Sequence, residues 1–480
     1  MSDPNRTVPP SATPTLRAVA CAAVFAAALV AQSAQSIAGH ARARELAELG
    51  RLPQARDVVV RDIVNYHRHR VPLPRAGQPV ALDLRFDRSH ARSGDEVVLQ
   101  AGYTTQTTGD LTDAPPCSVA LVVDCSGSMA DLGKMAQVQA GLRAFVEHLR
   151  PDDEVAIVTF SDDARIAAPL RARRDGERLR ATIDELRPDR STNLEAGLRL
   201  GVDALADARH RSRRVVLLTD GIANRGVTNP DEILRSVQRR DGRAVDVSTI
   251  GVGQDLDMSL LQRLADGNRG LFHYVADTRD VQKVFVREVE SLLLPAARDV
   301  ELRVTLPADL RATHVFESNA HVTRDGTEVR VRMPDLNAGV TGVVLISCRV
   351  RGELREPGSC VAELSFDGVT TGERQRVPAE ARLPRRLDRR EAREAVDATA
   401  TTDHEVRRNH AIALLADGMA RMADACERRR WADADRALQA ARDRAAEVFP
   451  GDDDDVQRVR DIAADYARTL RRYVDRFRDF

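Results

Sequence analysis

Lysine is almost missing from this 480-residue sequence: Lys134 and Lys283 are the only two among 72 basic residues. The remaining positive charge is arginine, which reads as the coding bias of a GC-rich genome. Neither sign of charge prevails, 72 Lys+Arg standing against 73 Asp+Glu in interleaved order. The one-sided basic field that nucleic-acid binding needs is therefore excluded. Aromatics make up 4% of the chain, with Trp431 the sole tryptophan, which argues against base-stacking platforms. The six cysteines, Cys21, Cys117, Cys125, Cys348, Cys360 and Cys426, form no C-x-x-C pair. A zinc site is not indicated, and the count is too low for a disulfide framework in so long a chain. No Gly-x-Ser-x-Gly elbow occurs, and no repeat of solenoid length is visible.

What is there divides into five stretches. Residues 1–38 hold a Pro-, Ser- and Thr-rich tail and then an apolar run, Ala18 to Ala31, preceded by Arg6 and Arg17. The run has the length of a signal-peptide core, with Ser36-Ile37-Ala38 as a cleavage signal. Read on to Ala38 it is instead an uncleaved membrane anchor through residues 18–38. A cytoplasmic helix is the third alternative; either of the first two puts the body in the cell envelope, exported or anchored in the cytoplasmic membrane. Residues 39–115 begin with a helical pattern interrupted at Pro53. Two alternating strands follow, Val80-Leu82-Leu84-Phe86 and Val97-Leu99-Ala101-Tyr103. Residues 116–294 change to strand, helix, strand, helix. Apolar runs at Val119–Val123, Val155–Phe160, Val215–Leu218 and Val245–Ile250 predict an α/β doubly wound, Rossmann-like sheet of parallel strands buried on both faces. Residues 295–384 alternate with period two, and Asp325-Gly326 and Asp367-Gly368 mark corners of a β-sandwich. Residues 385–480 read as a helical bundle. Its second helix stops at Pro450-Gly451, and Asp452 to Asp455 sit where a third would begin, matching the helix dipole.

Chemistry concentrates at three places in the α/β stretch, at strand exits or adjoining loops. The first run ends in Asp124-Cys125-Ser126-Gly127-Ser128, a carboxylate and two hydroxyls at alternate positions on a turn. Ser191-Thr192-Asn193 opens a helix, and Leu218-Thr219-Asp220-Gly221 ends another strand in a carboxylate. In an open parallel sheet ligands bind at the carboxyl ends of strands, and this oxygen set suits a hard divalent cation. Helix caps and an ordinary strand-end carboxylate are the bland alternative. Gly127 with Gly133-Lys134 imitates a phosphate loop, but the spacing is one residue too long and Met135 replaces Ser or Thr.

Asp-x-Ser-Gly-Ser, then Ser-Thr-Asn-Leu, then Thr-Asp-Gly resemble the metal-ion-dependent adhesion site of von Willebrand factor type A domains. Thr249 to Gly253 and Asn268 to Phe272 resemble that family's last strands. The resemblance implies that Ser126, Ser128 and Thr192 coordinate Mg2+, or another divalent cation such as Mn2+ or Ca2+, through hydroxyls. It implies that Asp124 and Asp220 act largely through bound waters, and that one position is left for an acidic residue of a protein partner. Arg190 stands where many relatives have a small residue, and would partly cover the site. The flanking stretches resemble those of bacterial envelope and inter-alpha-trypsin-inhibitor-like members in layout. The implied function is a non-enzymatic, metal-dependent protein-binding module for adhesion or scaffolding. Its rivals are an accessory subunit working with an ATPase, and a metal-assisted hydrolase, which needs a positioned base.

Two structural expectations follow. Cys348 and Cys360 fall on apolar faces of strands read as adjacent; a hairpin centred near Leu354 would bring them within disulfide reach, against two buried thiols as the alternative. The early strands, marginal as a lone hairpin, should join the later sandwich, so that the α/β domain is inserted between its strands.

Overall fold

The computed structural model describes residues 43–477, apart from 45, 68, 76, 107–115, 190, 211, 238–244, 254–255, 276–294, 352–358, 370–371 and 383–401. The apolar run at 18–38, Arg190 and Leu354 lie outside the described residues. Within them, no helix is long and apolar enough to cross a membrane.

Helix is interrupted early, as Pro53 requires. Residues 46–48 are helical, a 3-10 turn spans Ala55–Asp57, and α1 runs Val60–Asn65. Strands β1 (Val80–Phe86) and β2 (Glu96–Thr105) form the antiparallel hairpin.

The α/β region follows with β3 (Cys117–Asp124), α2 (Lys134–His148), β4 (Glu154–Phe160), β5 (Ala164–Ala172), α3 (Gly176–Asp184), α4 (Leu194–Asp203), β6 (Ser212–Thr219), α5 (Pro230–Val237), β7 (Asp246–Val252), α6 (Met258–Gly267) and β8 (Arg269–Val275). The sheet order is β5-β4-β3-β6-β7-β8, parallel except for β5. Successive β3 residues serve opposite cores: Val119, Leu121 and Val123 pack with α2 and α3, whereas Ala120 and Val122 pack with α4 and α6. That two-sided burial is why the strand reads as an unbroken apolar run. The antiparallel edge strand β5 departs from the all-parallel expectation. Its sequence lacks alternation and contains Pro169, which an edge strand tolerates.

The later β region contributes β9 (Pro295–Thr305), β10 (Leu310–Val315), β11 (Ala320–Val322), β12 (Glu328–Arg332), β13 (Leu336–Asn337), β14 (Thr341–Val350), β15 (Ser359–Gly368) and β16 (Arg374–Arg382). One sheet runs β1-β2-β14-β10; the other runs β11-β12-β9-β15-β16, with β13 also on β9. The two share one core, in which Val80, Leu99 and Ile346 lie with Leu302, Leu364 and Phe366. Strand β2 pairs with β14 from Thr104↔Thr341 to Glu96↔Arg349. The α/β sheet is thus spliced into the chain between β2 and β9, strands of the two facing sheets of the sandwich.

The sequence places Cys348 and Cys360 on adjacent strands, and the structure corrects this. Strand β14 pairs with β2 and β10, β15 pairs with β9 and β16, and the two cysteines belong to different sheets. Both are free, buried thiols. Burial pushes the Cys360 thiol up to about 12 and the Cys348 thiol higher still, so neither is a reactive thiolate.

Helices α7 (His404–Glu427), α8 (Trp431–Val448) and α9 (Asp454–Phe477) close the fold. The acid run reads as a cap: Asp453 Oδ1 accepts from the amides of Asp455 and Val456 at 3.0 and 3.1 Å. These helices share a core with residues 43–64 and with Val98, Val343 and Leu345 on the outer face of the β2–β14 sheet. Gly418 of α7 lets α8 approach: a Cβ there would lie 2.2 Å from Ala441 Cβ. No rotamer relieves an overlap between two β-carbons. Gly418→Ala is therefore expected to destabilise the helical layer by about 1–3 kcal/mol, outweighing the roughly 1 kcal/mol of helix propensity that alanine adds. A urea titration followed by Trp431 fluorescence checks this, and an unchanged or raised midpoint refutes it.

Candidate metal centre

All five oxygen-bearing residues lie at the carboxyl edge of the α/β sheet. Asp124 is the last residue of β3, Asp220 follows β6 directly, and Thr192 lies two residues before α4. Ser126 and Ser128 lie on the turn out of β3.

Contacts join them into one cluster. Ser126 Oγ and Ser128 Oγ are 3.1 Å apart, and Ser128 Oγ donates to Asp220 Oδ1 at 2.8 Å. A methyl group at Gly221 would lie 3.5 Å from Thr192 Oγ1 and 3.9 Å from Ser128 Oγ, so both hydroxyls border one point. Asp124 Oδ1 accepts from the Ser126 amide at 2.8 Å, which tightens the turn, and Asp124 Oδ2 accepts from Thr219 Oγ1 at 2.6 Å. Lys134, the first residue of α2, donates from Nζ to Asp220 Oδ2 at 2.7 Å.

The loops carrying these groups are tied to each other rather than to solvent. Cys125 N donates to Phe160 O, Asp189 N to Cys125 O, and Asn193 N to Ser161 O, at 2.8, 2.6 and 2.8 Å. Thr192 N donates to Asn224 Oδ1 at 2.9 Å, and Asn224 N returns a bond to Thr192 O at 3.1 Å. Gly226 has φ +68°, and a Cβ there would overlap Asn193 Oδ1. Such lacing holds the cluster in place before any ligand arrives.

The donor set fits a hard divalent cation. Two carboxylates, Asp124 and Asp220, are buried within one cluster; Lys134 offsets one of the two charges, and the other costs free energy until a further cation compensates it. Burial pushes the Asp124 carboxyl up to about 6, and the neighbouring Asp220 charge adds to that. Among the described residues no three His, Cys, Asp or Glu side chains cluster as metal ligands; here the further oxygens come from serine and threonine. If a cation binds, Ser126, Ser128, Thr192, Asp124 and Asp220 are the groups to hold it, and it would supply a Lewis-acidic anchor for an oxygen anion.

Two participants escape the sequence motif. Asn224 holds Thr192 in place, and Lys134 shares Asp220. Thr219 stands in the Thr-Asp-Gly motif, and its hydroxyl holds Asp124. Nothing in the local sequence signals Asn224, and Lys134 draws notice only as part of a failed phosphate loop.

The sequence model of the von Willebrand factor type A domain family matches residues 118–287. Uncharacterized protein YfbK of Escherichia coli is 28% identical over 274 residues, which are 55% of this chain and 48% of that protein. Inter-alpha-trypsin inhibitor heavy chain H2 of Mus musculus is 24% identical over 232 residues, 46% of this chain and 24% of its own length. This chain therefore spans about half the length of the first and a quarter of the second. The structure of the von Willebrand factor type A protein from Catenulispora acidiphila superposes with a TM-score of 0.50 at 15% identity. It covers 76% of this chain and 88% of its own, a likeness of fold.

Proposed function

Residues 118–287 are a von Willebrand factor type A domain, and from that premise we propose that this chain is a protein-binding module whose grip depends on a divalent cation. Mg2+, or Mn2+ or Ca2+ in its place, is held by Ser126, Ser128 and Thr192, with Asp124 and Asp220 as the compensating charges. A carboxylate of the partner completes the coordination. The observation that carries this reading is the convergence of two buried carboxylates and three hydroxyls at one sheet edge.

The rim of the site supports a protein partner. Ile222, two residues past Asp220, is 54% exposed, an apolar side chain offered to solvent beside a charged anchor. A buried apolar contact next to an ionic one is how protein interfaces gain affinity. The proposal includes display in the cell envelope, which rests on the apolar run at 18–38. It also includes the absence of catalysis: the groups gathered here bind and orient an anion.

The test is capture of partner proteins from envelope extract by the immobilised chain, with Mg2+ and with chelator. Proteins retained with Mg2+ and released by chelator are expected. Retention that ignores chelator overturns the metal-dependent reading.

A further inference from the structure

Lys134 is the only lysine among the described residues of a chain that otherwise uses arginine. Its ammonium sits inside the candidate metal centre. Nζ lies 2.7 Å from Asp220 Oδ2 and 3.4 Å from Ser128 O, and the side chain is 14% exposed. Gly253, at φ +90°, closes the other side, where a Cβ would lie 3.6 Å from both Nζ and Cε. The space admits a compact point charge on a thin stem; a planar guanidinium has five donors, and the contacts here supply two acceptors, Asp220 Oδ2 and Ser128 O. Asp220 is divided between two donors, Ser128 Oγ on Oδ1 and Lys134 Nζ on Oδ2.

From this placement we propose that Lys134 sets the charge of the metal centre, giving up metal affinity to leave the loaded site positive toward an anionic partner. The inference rests on the metal-dependent reading above. Two carboxylates balance one divalent cation and would leave a neutral site. Lys134 adds one positive charge, so the loaded site keeps a net positive charge for a carboxylate to meet. The same charge repels the incoming metal ion. At separations of about 5–6 Å and an effective dielectric between protein and water, repulsion between a unit and a double charge changes affinity about tenfold or more. In the metal-free protein, the ammonium holds Asp220 in its binding position.

Calorimetry with Mn2+ as the probe, followed by titration of the loaded protein with sodium acetate, tests this. Two variants remove the charge differently: Lys134→Met removes it with the hydrogen bond, whereas Lys134→Gln keeps a donor for Asp220. Both are expected to bind Mn2+ about tenfold tighter than the wild type, and to bind acetate more weakly once loaded. A residue that merely propped up the site would give weaker metal binding when replaced. Equal or weaker Mn2+ binding by the variants, or a gain confined to one of them, overturns the role of Lys134. Failure of the wild type and both variants alike to bind Mn2+ overturns the underlying metal-centre reading instead. Thermal melts of all three proteins establish that folded material is compared.

Discussion

Asp124→Ala is expected to cost about 10- to 100-fold in divalent-cation affinity, the range for losing a group that acts on a metal through a bound water or a neighbouring ligand. The same change should leave the α/β sheet folded. Asp124 ends β3 at the rim, and the side chain removed is one that burial already pushes up to about 6. Removing it leaves the Ser126 amide without its acceptor and the Thr219 hydroxyl with only Gly221 O at 3.4 Å, a cost of about 1–3 kcal/mol for each group left unsatisfied if no water replaces the carboxylate. The relief of a buried charge works in the opposite direction, so the metal-free melting temperatures of wild type and variant should lie close together. Magnesium then separates them. A ligand at 100 times its dissociation constant stabilises the folded state by about 2.7 kcal/mol, and one at 1–10 times by about 0.4–1.4 kcal/mol, so Mg2+ should raise the melting temperature of the wild type well above that of the variant. An equal Mg2+ shift in both proteins sinks the assignment of Asp124.

Four of the five oxygen-bearing positions were legible because they stand at the end of an apolar run or in the turn beside it, where a buried strand must exit; Thr192, between α3 and α4, was legible only as the polar start of a helix. A carboxylate placed at a strand exit has a chemical reason. The roles of Asn224 and Lys134 were not legible: they lie four and six residues past Asp220 and Ser128, but the groups they meet, Thr192 and Asp220, are brought to them by tertiary packing. The same division holds for the fold. Strands β3, β4, β6 and β7 announce themselves through burial on both faces. Strand β5, largely unburied at the edge and polar only at Arg165 and Arg171, carries no period to read. Strands β14 and β15 were each legible as strands, but period-two alternation marks a buried face without saying which sheet supplies it. Placing Cys348 opposite Cys360 therefore assumed a hairpin where the chain crosses from one sheet to the other. The early hairpin fared better: its apolar faces required a partner sheet, and they pack on the one carrying Val300, Leu302 and Val304, while β14 pairs beside β2.

Acidification from pH 7.5 to 5 is expected to weaken the helical layer before the α/β sheet. Burial holds both His69 and His410 at about 3, against an ordinary value of 6.5. His410, on α7, is faced by Arg444, Arg88, Arg407 and His314, which add to the cost of a proton; Asp87, Glu96 and Glu447 line the same small cavity. His69 is faced by Arg408 and His67, with Asp455 opposing them. His67 itself is held low by burial, although it lies 3.0 Å from Asp455. The folded-state values are depressed below the unfolded one, so the unfolded chain takes up protons that the folded chain refuses. The stability linked to these histidines is whole above pH 6.5 and is lost as pH falls toward 3. Each pH unit within that window removes up to about 1.4 kcal/mol per histidine, hence about 4 kcal/mol for the pair by pH 5, a large share of a typical 5–15 kcal/mol. Asp124 and Asp335, both pushed up to about 6 by burial, act in the opposite direction. They lie in the α/β sheet and in the turn after β12, outside the helical core. Trp431, at the start of α8 and stacked with Tyr473 at 6.3 Å between ring centroids, reports on that core alone. Urea titrations followed by Trp431 fluorescence should give a markedly lower midpoint at pH 5 than at pH 7.5. His410→Gln, which cannot take up the proton, should recover about half of the difference. A midpoint that does not move with pH, or a His410→Gln protein with the full wild-type pH slope, would show that these imidazoles do not govern the acid response.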